Sequence, residues 1–246
     1  MNKDIDGVAF DLDGTLYPNY RFNLRLIPFI LKEVPLLWAF GKARDVLRGK
    51  IPGKTAPVVE AAEDFYDAQA RHMGAFLKKD AAFIKERTER LIYRGWEPLF
   101  KDIKLFPHVG ETLGAIRSKG LKLGLLSDFP PEQKLEYLGL GGIWDAVCCS
   151  ERVGQLKPAP ESFEELARVM GLKPERLLYV GNSISYDIIG AKNAGMKTAL
   201  ICHPLRGPLL RKGRARAEYS AGDKVRGSPP VFIFHDYRQL VKYVLG

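Results

Sequence analysis

Six side chains far apart in the chain are of the kinds that together can move a phosphoryl group: Asp11, Asp13, Ser127, Lys157, Asn182 and Asp187. Carboxylate, amide and main-chain oxygens suit a small hard cation such as Mg2+. A hydroxyl and an ammonium suit the oxygens of a phosphate. Taken singly, each has a plainer explanation, since an Asp that follows a strand is usually a turn or cap residue. Their common placement outweighs it. Each falls at or just beyond the end of a short apolar run, and ligands of open parallel sheets bind where such strand ends converge. Metal-assisted phosphoryl transfer is the chemistry that this set implies.

The elements that must hold these residues are legible from pattern. Val8-Ala9-Phe10 is a short strand running into Asp11-Leu12-Asp13-Gly14-Thr15. Residues 17–103 read as entirely helical: Val58, Val59, Ala62, Phe65, Tyr66, Ala70, Met73 and Leu77 recur at helical spacing, as do Phe83, Ile84, Arg87, Leu91 and Ile92. From Leu105 helices and strands alternate. Helices are expected over Gly110–Lys119, from Pro131, and over Glu161–Met170, Ile184–Ala194 and Tyr237–Leu245. Strands are expected at Leu121–Leu126, Ala146–Cys149, Leu177–Val180, Thr198–Ile201 and Val231–Phe234, with a loop or insertion over 204–230. Alternation of this kind predicts an α/β fold, a doubly wound parallel sheet covered on both faces.

On these motifs the chain resembles the haloacid dehalogenase-like hydrolases. Asp11-Leu12-Asp13-Gly14-Thr15-Leu16 is similar to the family's first motif, Leu125-Leu126-Ser127-Asp128 to its second and Gly154-Gln155-Leu156-Lys157-Pro158 to its third. Val180-Gly181-Asn182-Ser183-Ile184-Ser185-Tyr186-Asp187 resembles the fourth. The order is the family's, and four motifs on strand ends are far more specific than one. The resemblance implies a Rossmann-like core of residues 1–16 and 104–246 and an all-helical C1 cap of residues 17–103.

It also implies roles. Asp11 is the expected nucleophile, forming an aspartyl-phosphate, and Asp13 the general acid and base. Amides around Leu12, Gly14 and Thr15, together with Ser127 and Lys157, are expected to hold the phosphoryl group. Asp11, the Asp13 carbonyl, Asn182 and Asp187 are the expected Mg2+ ligands. Family members that dehalogenate generally lack the second aspartate, so Asp13 favours a phosphatase. Asn182 departs from the pattern, because it puts a neutral amide where the family has an acid. The runner-up expectations are therefore an inactive scaffold that binds a phosphorylated ligand, or an enzyme of the same fold acting on another bond, such as phosphonate cleavage or sugar-phosphate isomerisation.

Composition narrows the partners. The 246 residues are 46% hydrophobic and 27% charged, which excludes wholesale disorder. The net charge of +9 lies in two segments, Arg21–Lys50 and Arg206–Arg226, each with seven basic and two acidic residues. The second has one aromatic, Tyr219, and reads as a solvated loop, so no nucleic-acid partner is expected. Phe22–Phe40 has 13 apolar residues of 19, but Lys32 and Glu33 at its centre and two prolines argue against a membrane span. It reads as two cap helices packed on the cap's own core, with a lid over an apolar substrate, a dimer contact or a basic surface lying on anionic lipid as sharper alternatives. The chain is expected to be a monomer or homodimer. Asp128 reads as a cap for the helix at Pro131. His72, His108, His203 and His235 have no metal-ligand spacing. Cys148 and Cys149 read as buried, reduced thiols, and with no signal-peptide pattern at the start a cytoplasmic location is expected.

Overall fold

The computed structural model describes residues 4–49, 64–202 and 230–246. Six parallel strands form one sheet: β1 (Gly7–Phe10), β2 (Lys122–Ser127), β3 (Ala146–Cys149), β4 (Leu177–Gly181), β5 (Lys197–Ile201) and β6 (Phe232–Phe234). Their spatial order is β3-β2-β1-β4-β5-β6, so β1 lies in the interior, with Phe10 level with Leu125 on one side and Val180 on the other. A strand in that position has no solvent face. Gly-Val-Ala-Phe is accordingly buried throughout, with Val8 and Phe10 on one core and Ala9 on the other.

Helices cover both faces. Val109–Ser118 and the final helix, Tyr237–Leu245, lie over the Val8 side with Leu113, Ile116, Leu240 and Val244. Pro160–Met170 lies over the Ala9 side with Phe163, Leu166 and Met170, helped by Ala191 and Ala194. This is the doubly wound α/β fold expected from the alternation. Ala146–Cys149 and Tyr237–Leu245 have the bounds read from pattern, and the other strands shift by one residue at one or both ends.

Between β1 and β2 the described chain is helical: α1 (Asn19–Lys32), α2 (Val34–Leu47), α3 (Phe65–Leu77) and α4 (Ala81–Thr88), then a π turn at Glu89–Tyr93 and short turns to Phe100. Their own core is Leu36, Ala39, Phe40, Ala43, Ala70, Met73, Ile84 and Ile92. Asp64 and Asp80 cap α3 and α4, accepting from Asp67 N (2.7 Å) and Phe83 N (2.9 Å). Two readings change here. Ile84, Thr88 and Ile92 form the buried stripe, and Phe83 is half exposed. The Phe22–Phe40 stretch is only half internal: α2 buries Leu36, Ala39 and Phe40, whereas Leu24, Ile27, Leu31, Val34 and Trp38 are exposed, Leu31 to 76%. No helix among the described residues is long and apolar enough to cross a membrane. Val58, Val59 and Ala62, the segment 206–226 with most of the expected 204–230 loop, and His203 lie outside the described residues.

The remaining sequence readings resolve simply. Cys148 and Cys149 are buried free thiols. His108 pairs with Glu111 (3.0 Å), and His235 Nδ1 meets the Cys202 carbonyl (2.7 Å).

Candidate active site

Asp11 leaves the end of β1 with its N–H donating to the Val180 carbonyl (2.9 Å), so the sheet ladder fixes its backbone. Its carboxylate is buried between two donors. Lys157 Nζ donates to Oδ1 at 2.6 Å and Thr15 Oγ1 to Oδ2 at 2.7 Å. Leu12 O accepts from the N–H groups of Thr15 (3.3 Å) and Leu16 (3.1 Å), which closes the loop into a tight turn. Gly14 is in the left-handed region (φ 86°), and a Cβ there would stand 2.3 Å from Asn182 Nδ2. The turn therefore requires glycine twice over, for its backbone angle and for the approach of Asn182.

Lys157 arrives on the loop after the short helix that follows β3, and its ammonium is shared. It also donates to Asp187 Oδ1 (2.8 Å) and to Tyr179 Oη (3.4 Å). Asp187 Oδ2 accepts from the N–H groups of Asn182 (3.2 Å) and Ser183 (3.0 Å), which ties the loop after β4 to the same centre. That loop passes close: a Cβ on Gly181 would overlap Asp187. Ser127 is fully buried at the end of β2, and its Oγ accepts from Phe129 N (3.2 Å).

Electrostatics follow from burial and count. Burial pushes the Asp11 carboxyl up to about 7; Asp187 adds to the push and Lys157 works against it. For Lys157, burial alone acts downward, but the Asp11 and Asp187 carboxylates outweigh it and hold the ammonium well above its ordinary value. Two carboxyls thus face one ammonium, and when both ionise the buried set holds one negative charge in excess. A hard cation fits that excess. Among the described residues no three His, Cys, Asp or Glu side chains gather as a metal cage. Asp11, the Asp13 carbonyl, Asn182 and Asp187 are the residues that could hold a cation here, with water or a substrate phosphate completing the shell, as suits an ion that keeps its waters.

Asp13 stands apart from this cluster. Lys134, from the helix Glu132–Tyr137, donates to both of its carboxylate oxygens (3.0 and 2.9 Å), and Tyr17 Oη donates to Oδ1. The sequence reading missed Lys134 and Tyr17. Nothing in a lone lysine on an amphipathic helix marks it, although Tyr17 lies four residues after Asp13.

Asp128 requires a correction. Pro131 precedes the helix Glu132–Tyr137 with no side-chain cap. Asp128 instead accepts from Arg48 Nη2 (2.6 Å) and Lys157 N (3.1 Å) and lies 3.8 Å from Arg44. Arg48 also donates to the Lys157 carbonyl (3.1 Å) and lies over the Tyr186 ring, while Arg44 pairs with buried Glu151. Two of the seven basic residues in 21–50 therefore join α2 to the site's loops, and a third, Arg25, donates to the Leu99 carbonyl (2.7 Å).

The model of the haloacid dehalogenase-like hydrolases matches residues 5–195, which includes all six residues. The chain belongs to this hydrolase family. Among curated relatives, a phosphoglycolate phosphatase from Shigella boydii serotype 4 is 33% identical over 224 residues, 79% of this chain and 81% of that one. A glyceraldehyde 3-phosphate phosphatase from Methanothermobacter thermautotrophicus is 42% identical over 105 residues, 42% of this chain but under half, 46%, of the relative. The crystal structure of the L-2-haloacid dehalogenase RSc1362 superposes with a TM-score of 0.61 at 21% identity, covering 98% of this chain and 99% of that one. At that identity the likeness shows the family's fold alone.

Proposed function

We propose that the chain is a Mg2+-dependent phosphatase that hydrolyses the phosphate monoester of a small molecule through an aspartyl-phosphate on Asp11. The carrying observation is the division of labour between two neighbouring carboxyls. Asp11 is held by Lys157 and Thr15 inside the cluster, and Asp13 is held by Lys134 and Tyr17 at the floor of a cavity. The names of the relatives support a phosphatase, and Asp13 supports it over a dehalogenase, because a halide needs no proton to leave.

An Asp11 carboxylate oxygen attacks phosphorus as the ester P–O bond breaks, and its electron pair stays on the alcohol oxygen. That oxygen takes a proton from Asp13. Asp13 then takes a proton from water as the water attacks phosphorus, which frees phosphate and restores Asp11. Lys157, Ser127 and the amides of the turn at 12–15 hold the phosphoryl oxygens throughout. Asp11, the Asp13 carbonyl, Asn182 and Asp187 would hold Mg2+, which when bound would supply positive charge against the anionic substrate and nucleophile. In this reading residues 17–103 are a cap over a core of 1–16 and 104–246, and the protein works in the cytoplasm as a monomer or homodimer. The exposed apolar residues of α1 and α2, beside basic ones, provide at most weak, salt-sensitive contact with anionic lipid.

Phosphate release from a panel of phosphorylated metabolites, with and without Mg2+, tests the reading. Asp11→Asn should abolish release while circular dichroism is unchanged; wild-type turnover by that variant would exclude the covalent route. A second reading, a scaffold that binds a phosphorylated ligand without turnover, is favoured by one observation, the neutral Asn182, and predicts binding with no release.

A further inference from the structure

The cavity above Asp13 measures about 520 Å³, well within the range that holds a drug-sized molecule. Asp13, Tyr17 and Lys134 form its floor. Five rings, Phe22, Tyr93, Trp96, Phe100 and Phe129, line it together with the amides of Asn19, Asn23 and Gln133 and with charged side chains. Phe22 stacks on Phe100 (centroids 4.4 Å apart), and Trp96 stands edge-on to Phe22 (5.8 Å) and tilted to Phe129 (6.2 Å). Tyr93, Trp96 and Phe129 both pack against the core of the helical insert and border the cavity, as Ile92 of that core does.

The charges in the walls cancel one another. Lys134 is bonded to Asp13 (2.9 Å), Arg94 to Glu89 (2.9 Å) and Glu97 (3.1 Å), and Arg152 to Glu132 (3.0 Å). With Asp13 carrying the proton it gives the leaving oxygen, three cations face three carboxylates, so the lining holds no spare positive charge for a second anionic group. Asn19 Oδ1 and the Trp96 indole N–H are buried with no hydrogen-bond partner among the described residues, and both residues border the cavity.

We propose that this cavity selects a phosphate monoester whose alcohol part is uncharged and apolar, an aryl or medium-chain alkyl group. The proposal rests on the phosphatase reading above and sharpens it. It also separates this chain from the relatives by chemistry. Phosphoglycolate carries a carboxylate beside its phosphate, and glyceraldehyde 3-phosphate is a polar three-carbon chain. The first finds no free cation for its carboxylate in this cavity, and both leave its aromatic rings uncovered.

The test is kcat/KM with Mg2+ for phosphoglycolate, glyceraldehyde 3-phosphate, hexyl phosphate and 2-naphthyl phosphate. Filling an apolar pocket changes kcat/KM by about tenfold or more, and the last two esters should lead the first two by at least that. Trp96→Leu should shrink the lead of naphthyl phosphate over phosphoglycolate; Phe22→Leu serves if that variant does not fold. Equal or higher kcat/KM on the two small polar esters overturns the proposal and leaves the phosphatase reading standing. If no ester is hydrolysed, the phosphatase reading fails, and calorimetry with naphthylphosphonate and methylphosphonate decides the cavity. Tighter binding of the naphthyl compound, by about tenfold or more, upholds the apolar site; equal or absent binding refutes it.

Discussion

Arg44→Met should destabilise the protein far more than an ordinary substitution, and the structure says by how much. Arg44 comes from α2 and Glu151 from the turn after β3; their side chains are 5% and 0% exposed. Asp128 keeps Arg48 at 2.6 Å and so is not stranded by the change. Methionine retains much of the packing that Arg44 makes over the Phe129 ring, at 4.3 Å. What is lost is the charge beside Glu151. Removing one partner of a buried pair costs about 3–5 kcal/mol, because the other is left charged and dry. At about 2–4 °C per kcal/mol for a chain of this size, Tm falls by roughly 6–20 °C. The pH dependence carries a sign. Burial raises the Glu151 carboxyl and Arg44 opposes the rise, so without Arg44 it rises further. A raised acid loses folding stability as pH climbs through its folded pKa, so the deficit is full near pH 8. It shrinks toward about pH 4, where the unfolded carboxyl is protonated as well. Urea unfolding of wild type, Arg44→Met and Arg44→Met/Glu151→Leu at both pH values measures this. The double variant should recover most of the loss. A deficit below about 1 kcal/mol at pH 8, unchanged in acid, would mean that Glu151 is solvated and that α2 stands off the core in solution.

Asn182→Asp should keep the fold and tighten Mg2+ in the substrate-free protein, because a charged oxygen replaces a neutral one; equal calorimetric affinities would put Asn182 outside the coordination shell. Gly14→Ala, at φ 86° and against Asn182, should cost about 1 kcal/mol or more and stop phosphate release, and a variant normal in both urea unfolding and turnover would contradict the tight turn. Burial pushes the Cys148 and Cys149 thiols up to about 11 and about 12, so at pH 8 about one in a thousand or fewer is thiolate. An aromatic disulfide reagent should therefore modify both slowly in the native protein; prompt reaction of all three cysteines would show that the edge near β3 opens.

The residues aligned along the sheet's carboxyl edge were legible because position, not side-chain type, identified them. Asp11, Lys157 and Asp187 meet within hydrogen-bond distance although 146 and 30 residues separate their pairs in sequence. What the sequence hid are contacts made across elements by ordinary surface-type residues. Lys134 and Arg44 lie on amphipathic helices where a cation usually faces water, and only tertiary packing buries them against Asp13 and Glu151. Asp128 was misread for the same reason, since a local cap was weighed without knowing that α2 brings Arg48 to it. Periodicity predicted regular helices where π turns occur at Glu89–Tyr93 and Ile184–Ile188. One added residue per turn is invisible to a pattern of period 3.6.

The interior place of β1 has a consequence for how the protein is made. β1 leaves the ribosome before the other described strands and pairs at Gly7 with Lys122 on one edge and Leu177 on the other. At about 5–20 residues per second, roughly 6–23 s pass before its first neighbour is even synthesised. During that interval a four-residue apolar strand has two unsatisfied edges, while the helices from Asn19 onward can already form locally. Completion of the sheet, and with it assembly of Asp11 beside Lys157, thus comes late in the life of the nascent chain, after the helical segment has had its opportunity for structure.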